Sequence, residues 1–388
     1  MNLLFATNRN PFGLGPFGGA ETSTRLLAER MSAKGHNVHY VTRPGDTASL
    51  ELASNSGVEL HYFPRKHRVI GIPKHRVERY LRKLTFSKLV KRHEIDIVYA
   101  FYELNVIEPL LDLPNRLIKP KVIMRMAGLR WYVESSKDNG LRDRYQKVFR
   151  DVDSVNYIED GFVPLVEAKL AELDFTTVFK HSFSQDIGSS TEAQRSTPYK
   201  SASDGLFRML MVARFSDYQK RQDLLVKAIA LMPRDLKLQM TFVGEGRLRE
   251  EIRNLAEELN VSDRIRFLDF MDQTALWELM ESSQLMCHAT DFEGLGKSVV
   301  EAMHKGLPVL ASRVAPLDTY IRHGDNGFLV ENAPEAWASQ MIALAQAPEM
   351  LAEVSKASLH YAQQKWDPEK CADVFEATFA EVAERQVV

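Results

Sequence analysis

Cysteine is nearly absent from this chain: Cys287 and Cys371 are the only two in 388 residues. That excludes a disulfide framework or a cysteine-built zinc fold, and it points to a reducing compartment. Long apolar runs are missing as well. No stretch approaches the roughly 20 apolar residues that span a bilayer, and the apolar part of MNLLFATNRN is too short for a secretory signal. Charge of one sign is also lacking. Fifty Lys and Arg stand against 52 Asp and Glu, a formal net charge of −2, which removes any global reason to expect nucleic acid. No short-period repeat is present. A cytoplasmic protein is expected, with peripheral attachment to the inner face of a membrane left open.

What is present fits a soluble globular chain, at 45% hydrophobic and 26% charged residues. Its length is too great for one ordinary core, so two domains are the default. Short apolar strands are predicted at 2–7, 36–42, 57–62, 95–101, 121–126, 153–158 and 175–180, with helical stretches between most of them, one from about Gly19 to Lys34. Segment 184–205 is rich in Ser, Thr, Gly and Pro and reads as a linker. A second series follows at 207–213, 238–243, 264–269, 284–288, 307–311 and 327–330, and a last helix runs from about Pro368 to Glu384. Strands alternating with helices predict α/β architecture: two doubly wound, Rossmann-like domains with parallel sheets, facing each other across a cleft.

The stretch that organises the chain is Asp291 to Leu310, D-F-E-G-L-G-K-S-V-V-E-A-M-H-K-G-L-P-V-L. Glu293 and two glycines precede an apolar-periodic run in which Val299, Val300 and Met303 share one helical face. Gly306 suits the left-handed residue that ends a helix, and Leu307–Ala311 reads as a buried strand. Glu301 then lies one turn inside the helix. The backbone amides near Gly296–Ser298 can point at an anion, an arrangement that favours negative charge by roughly 0.3–1 kcal/mol. Two carboxylates flanking an anion cradle suit a ligand with phosphate in its middle and hydroxyls at both ends, as in a nucleotide sugar. The bland alternative is a pair of solvated charges around an ordinary helix cap.

Elsewhere Arg214 follows a strand and Lys220 is expected to begin the next helix, so both can reach the carboxyl ends of the sheet, where open α/β folds bind ligands. Two cations there would offset a diphosphate, most of all as it leaves. Val243-Gly244-Glu245-Gly246 is a glycine turn at the same mouth. Gly13, Gly15 and Gly18 match the spacing of a dinucleotide fingerprint, but Gly13 lies six residues beyond Thr7, Pro16 interrupts, and the second strand ends Thr42-Arg43-Pro44 without an acid. Asp151 and Asp153 read as a helix–strand junction rather than a metal site. His288 beside Cys287 lacks further ligands at suitable spacing, and burial in a strand is expected. Residues 65–93 carry eleven Lys and Arg against Glu78, interleaved with apolar residues. A solvated face, a surface for anionic lipid or a polyanionic acceptor, and a nucleic-acid site without a recognised motif are the three readings.

With Arg214, Lys220, Gly244–Gly246 and the Glu293/Glu301 pair in order, the sequence resembles a retaining glycosyltransferase of family 4, with the two-domain GT-B fold. The likeness covers nearly the whole chain and is strongest from about 207 to 332. E-G-L-G-K-S-V-V-E-A-M followed by K-G-L-P-V-L matches the family's E-x7-E signature, Gly324–Val330 its following turn and strand, and Gly18-Gly19-Ala20-Glu21 its N-terminal loop. The resemblance implies an acceptor-binding domain at 1–190, a donor-binding domain at 200–365, and a helix at 366–388 that crosses back to the first. It also implies roles. Arg214 and Lys220 bind the donor diphosphate, and Glu293 contacts the transferred sugar beside Gly294, Leu295, Gly296 and Lys297. Glu301 holds the ribose, Gly244 lines the donor site, and Gly18 and Gly19 lie against the phosphates.

The expected reaction moves a sugar from a nucleotide-sugar donor to a glycan or lipid-linked hydroxyl with retention, in cell-surface polysaccharide or glycoconjugate synthesis, with no metal and no cofactor. One departure is the lack of a histidine after the strand at 122–126, where many relatives carry one. Arg125, Arg130 and Trp131 stand there instead, as candidates for the acceptor side. The alternatives are another GT-B reaction, inverting or epimerising, and a non-catalytic nucleotide-sugar-binding protein.

Overall fold

The computed structural model describes residues 1–12, 19–64, 73–114, 119–175, 179–187, 199, 201, 204–215 and 219–385. The chain forms two units. One comprises Met1–Ile187 together with Pro368–Val388, and the other Gly188–Asp367.

The first unit is built on β1 (Asn2–Ala6), β2 (Asn37–Thr42), β3 (Val58–Tyr62), β4 (Ile97–Phe101), β5 (Lys121–Met126), β6 (Ser154–Tyr157) and β7 (Ser182–Ser184). These pair in the order β3-β2-β1-β4-β5-β6-β7, all parallel. Strands such as Leu3–Ala6 and Ile97–Phe101 are buried along their whole length, as a parallel sheet covered on both faces requires. The strand expected at 175–180 is corrected. Residues 176–178 lie outside the described residues, and the ladder is made by Ser182–Ser184. Phe175 and Phe179 pack on Phe149, at ring-centroid distances of 5.8 and 5.7 Å, so their apolar character serves an aromatic cluster and not a strand.

The closing helix, Pro368–Glu384, belongs to this first unit. Cys371, Phe375, Phe379 and Val382 enter the same core as Phe5 and Tyr99. Lys34 and His36 fix the helix through Glu376, at 2.9 and 2.7 Å. Trp366 stays with the second unit, buried against Tyr320 at 5.1 Å.

The second unit has β8 (Phe207–Val212), β9 (Leu238–Val243), β10 (Ile265–Leu268), β11 (Leu285–His288), β12 (Val309–Ser312) and β13 (Phe328–Val330). Their order is β10-β9-β8-β11-β12-β13, again all parallel. Both sheets thus share one doubly wound plan, with the first strand central and the order reversing beside it. Most of the expected linker lies outside the described residues.

Candidate functional site

In an open α/β sheet the crevice forms at the carboxyl ends of the two strands where the order reverses. In the second unit those strands are β8 and β11. The segment following β11 is held by an antiparallel bridge between Lys220 and Thr290, flanked by Arg221 N–H to Ala289 O at 3.1 Å and Asp291 N–H to Gln219 O at 2.9 Å. Lys220 therefore precedes its helix, which starts at Gln222, and is fixed by this bridge instead. Residues 216–218 lie outside the described residues.

The bridge brings three titratable groups together. The Lys220 ammonium donates to Glu293 Oε2. His288 Nε2 lies 2.8 Å from the same oxygen and 3.5 Å from Lys220 Nζ. The second carboxylate oxygen accepts the Gly294 N–H at 3.0 Å. Burial by itself would raise the Glu293 pKa, but Lys220 and His288 hold the carboxyl well below its usual range. Burial, then the charge of Lys220, pushes the His288 pKa down against the pull of Glu293. His288 is thus a neutral ring whose Nε2–H faces the carboxylate, which assigns the tautomer.

The signature segment reads as expected in its backbone. Gly296 precedes the helix Lys297–His304 with φ of +77°, and a Cβ there would lie 3.1 Å from both Leu317 Cδ2 and the Tyr320 hydroxyl. Tyr320 in turn donates to Leu295 O, which pins the loop. Gly296 has no side chain to cap the helix, and its carbonyl accepts the Val299 and Val300 N–H groups at 2.8 and 3.0 Å in the first turn. Gly306, at φ +61°, ends it. Glu301 is buried one turn inside, near Lys297 and hydrogen-bonded to Gln273. Burial is the larger influence and raises its pKa. The two signature carboxyls are therefore pushed in opposite directions.

Gly244 closes the other side of the β8 end. A Cβ there would meet Ala213 O at 2.2 Å, so only glycine lets this turn press on the backbone leading to Arg214. Arg214 itself is exposed and makes no ion pair with a described residue.

Other expected residues fall elsewhere. Gly18 lies outside the described residues, and Gly19 is the first residue of the helix Gly19–Ala33. Arg125 and Trp131 are corrections, because neither has surface to offer an acceptor. The Arg125 guanidinium is buried against the Tyr99 hydroxyl at 2.9 Å and the Asp186 carboxylate. Trp131 is fully buried, 5.2 Å from Phe149. Arg130 is exposed and paired with Glu134 at 2.7 Å. Asp153 accepts from Val122 N–H at 2.8 Å, and Asp151 pairs with Arg150 at 3.2 Å.

Within the basic stretch, Arg79 pairs with Glu108 and Asp112, and Arg82 is buried on Glu78 and Asn8. Those two charges hold the fold. Sequence reasoning missed His288 as a site residue. Its one signal was its position five residues before Glu293, at the end of the strand that feeds the same loop.

Two family models match the chain. One described as "Glycosyltransferase Family 4" covers residues 17–156, and one described as "Glycosyl transferases group 1" covers residues 196–360. The N-acetyl-alpha-D-glucosaminyl L-malate synthase of Bacillus anthracis is 27% identical over 175 residues, 45% of this chain and 45% of that protein. A D-inositol 3-phosphate glycosyltransferase of Streptomyces griseus is 31% identical over 176 residues, 42% of this chain and 37% of the relative. The matching stretch thus spans less than half the length of these curated relatives. Among solved structures, HepE of Anabaena in complex with UDP and glucose superposes with a TM-score of 0.76 at 16% identity, covering 98% of this chain and 100% of that one. The sucrose-phosphate synthase of Thermosynechococcus elongatus gives a TM-score of 0.80 at 18% identity, with 98% of each chain covered. At such identities these structures speak to the fold alone, and the fold they share is GT-B. With both family models matched in order along that fold, the chain belongs to glycosyltransferase family 4.

Proposed function

We propose that the protein transfers a sugar from a nucleotide-sugar donor to an acceptor hydroxyl with retention of anomeric configuration, and that the transfer step needs no divalent metal. The observation that carries this reading is the Lys220–Glu293–His288 group at the strand-order reversal of the second unit. Lys220 and Glu293 satisfy each other without a ligand. An incoming diphosphate would compete for the ammonium, joined by Arg214 and the amide end of the signature helix. Glu293 would then turn to the hydroxyls of the sugar, with His288 holding its Oε2 by a hydrogen bond. Glu301, buried near Lys297 and Gln273, would accept from ribose hydroxyls.

In the transfer itself, the bond from the anomeric carbon to the phosphate oxygen breaks, and its electron pair leaves with the diphosphate. The acceptor oxygen attacks from the same face, and its proton passes to the leaving phosphate. The fixed cations stabilise the charge that develops there, the kind of contact whose loss costs about 10²–10³-fold in rate. HepE, with a similar fold, has been crystallised with UDP-glucose, which supports a nucleotide-sugar donor. WaaG, a glycosyltransferase involved in lipopolysaccharide biosynthesis, shares the fold with a TM-score of 0.69 at 20% identity, which fits a glycan or lipid-linked acceptor.

Thermal stabilisation across a panel of nucleotide sugars identifies the donor, and NMR of the product reports the anomer. An inverted product would overturn retention, and donor binding without turnover on any acceptor would favour a binding protein. Dependence of the initial rate on added manganese would overturn metal-independent transfer.

The same proposal places the protein at an anionic membrane surface. No helix among the described residues is long and apolar enough to cross a membrane. The helix Lys74–His93 nevertheless exposes Tyr80 and Leu84, 61% and 48% accessible, in line with exposed Arg76, Lys88 and Lys91. An apolar stripe edged by cations suits an anionic interface.

A further inference from the structure

The edge of the first sheet carries a second constellation that sugar transfer does not use. In the β2–β3 register His39 lies opposite Glu59, and Val41 opposite His61. Because side chains alternate along strands, His39, Glu59 and His61 share one face. The last residue of the helix Lys74–His93 closes over that face. The His93 ring stands 4.0 Å from that of His39 and 5.5 Å from that of His61, centroid to centroid.

His39 Nδ1 is 3.1 Å from His61 Nε2 and 3.3 Å from Glu59 Oε2. One nitrogen or oxygen from each of the four residues lies within 4.8 Å of the others. Zinc bonds of 2.0–2.1 Å in a tetrahedron set ligand atoms about 3.3–3.4 Å apart. The His39–Glu59 edge, at 3.3 Å, already has that length, and the His39–His61 edge, at 3.1 Å, is slightly shorter. The cavity at the cluster, about 370 Å³ and lined by His36, His39, Gly57, Glu59 and His93 among others, opens to solvent and gives an ion a path in.

Hydrogen bonding alone accounts poorly for this arrangement. A neutral imidazole offers one donor and one acceptor nitrogen, yet His39 Nδ1 faces both a ring nitrogen and a carboxylate oxygen. We propose that His39, Glu59, His61 and His93 form a structural site for one zinc-class divalent cation. With four protein ligands the coordination sphere is closed, unlike a catalytic zinc site, which keeps a position open. The ion would tie edge strand β3 to β2 and to the carboxyl end of the basic helix, an end that favours positive charge. Its cavity is lined by Asn2, His36 and Asn37 at the amino ends of β1 and β2, the opposite end of the sheet from the carboxyl ends where open α/β folds bind ligands, so the site would be structural and apart from transfer.

The test uses untagged, full-length protein stripped with a chelator, desalted, and titrated with Zn²⁺ against a chromophoric competitor. One equivalent should bind per chain, Co²⁺ should give the absorption bands of a tetrahedral complex, and Zn²⁺ should raise the melting temperature. His61→Ala and His93→Ala should each weaken Zn²⁺ binding at least tenfold and remove the thermal increment. His39 is buried and its removal risks the fold, so the half-exposed Glu59→Gln serves as the further variant. Stabilisation by nucleotide sugar should persist in all three, which separates this site from the proposed transfer activity. The proposal is overturned if folded wild-type protein binds Zn²⁺ more weakly than about 10 μM. It is equally overturned if a His61→Ala/His93→Ala double variant binds undiminished.

Discussion

The two units share a strand order but invest their buried charge differently. At the reversal of strand order in the second unit Lys220, His288 and Glu293 meet and Arg214 stands exposed past the end of β8, while Arg264 and Lys305 of the same unit are taken up by backbone carbonyls and Glu281. In the first unit the comparable buried cations are consumed by the fold, Arg125 by Asp186 and Arg82 by Glu78. One topology can therefore place charge where a ligand will use it or where only the chain can. Substitutions at the second unit's reversal should act mainly on chemistry, and those at the first unit's buried pairs mainly on stability.

The largest effect is expected from Arg125→Met. It strands a fully buried Asp186, and breaking such a pair typically costs about 3–5 kcal/mol. Melting should fall by many degrees while donor-induced stabilisation remains at low temperature. An unchanged melting temperature would break the comparison on the first unit's side.

Next comes Arg214→Ala, which should lower turnover by about 10²-fold, roughly 2.7 kcal/mol, with melting nearly unchanged because the side chain is exposed. Lys220→Ala should lose as much turnover and some stability too, since it leaves Glu293 without its ammonium partner. Near-normal turnover in Arg214→Ala would sink the diphosphate assignment.

Glu301→Gln sharpens the comparison within one site. The folded pKa of Glu301 is raised above its ordinary 4.5, so the folded state holds the proton more tightly. Stability then declines as pH rises from about 4.5 through the folded value, and the ionised carboxyl is a burden at neutral pH. Glu301→Gln should melt higher than wild type at pH 7.5, by about 1–3 °C, with the gap closing at pH 4.5. Donor affinity should fall at least tenfold, measured by calorimetry. A variant that melts lower at pH 7.5 would show that Glu301 serves the fold instead.

The smallest effect on chemistry is expected from replacing Arg76 and Lys91 with Gln and Tyr80 and Leu84 with Ser. Vesicle binding should need anionic lipid, weaken with salt, and lose about 1 kcal/mol for each cation removed. Donor binding should not change. Arg79 and Arg82 are left alone because they hold the helix to its neighbours, Arg79 through Glu108 and Arg82 through Asn105 O and Asn8. Binding to vesicles that persists in this variant would remove the stripe from consideration.

Much of this was legible in the chain because the signals were local. The run from Val299 to Met303 and the glycines around it predict a helix start and stop, and those are backbone matters decided within one turn. Strand positions such as Lys121–Met126 and Leu238–Val243 were legible for the same reason, as short runs rich in apolar residues. Partnership over distance was not legible. Arg125 looked like a polar residue at a strand end, and nothing nearby indicates that Asp186, 61 positions on, will bury it. Arg79 seemed unopposed until Glu108 and Asp112 folded onto it. His39, Glu59, His61 and His93 have no metal-binding spacing, because two neighbouring strands and a helix end supply them.

The closing helix has a consequence for the order of events during synthesis. Cys371, Phe375, Phe379 and Val382 complete the core begun by Leu3 and Phe5, yet the ribosome makes Gly188–Asp367 first. At roughly 5–20 residues per second, those 180 residues hold the amino-terminal unit incomplete for about 10–35 s. The second unit is contiguous and needs nothing made after Asp367. A released chain truncated just short of Pro368 should therefore protect the later-made unit from protease while leaving the earlier-made one open to cleavage.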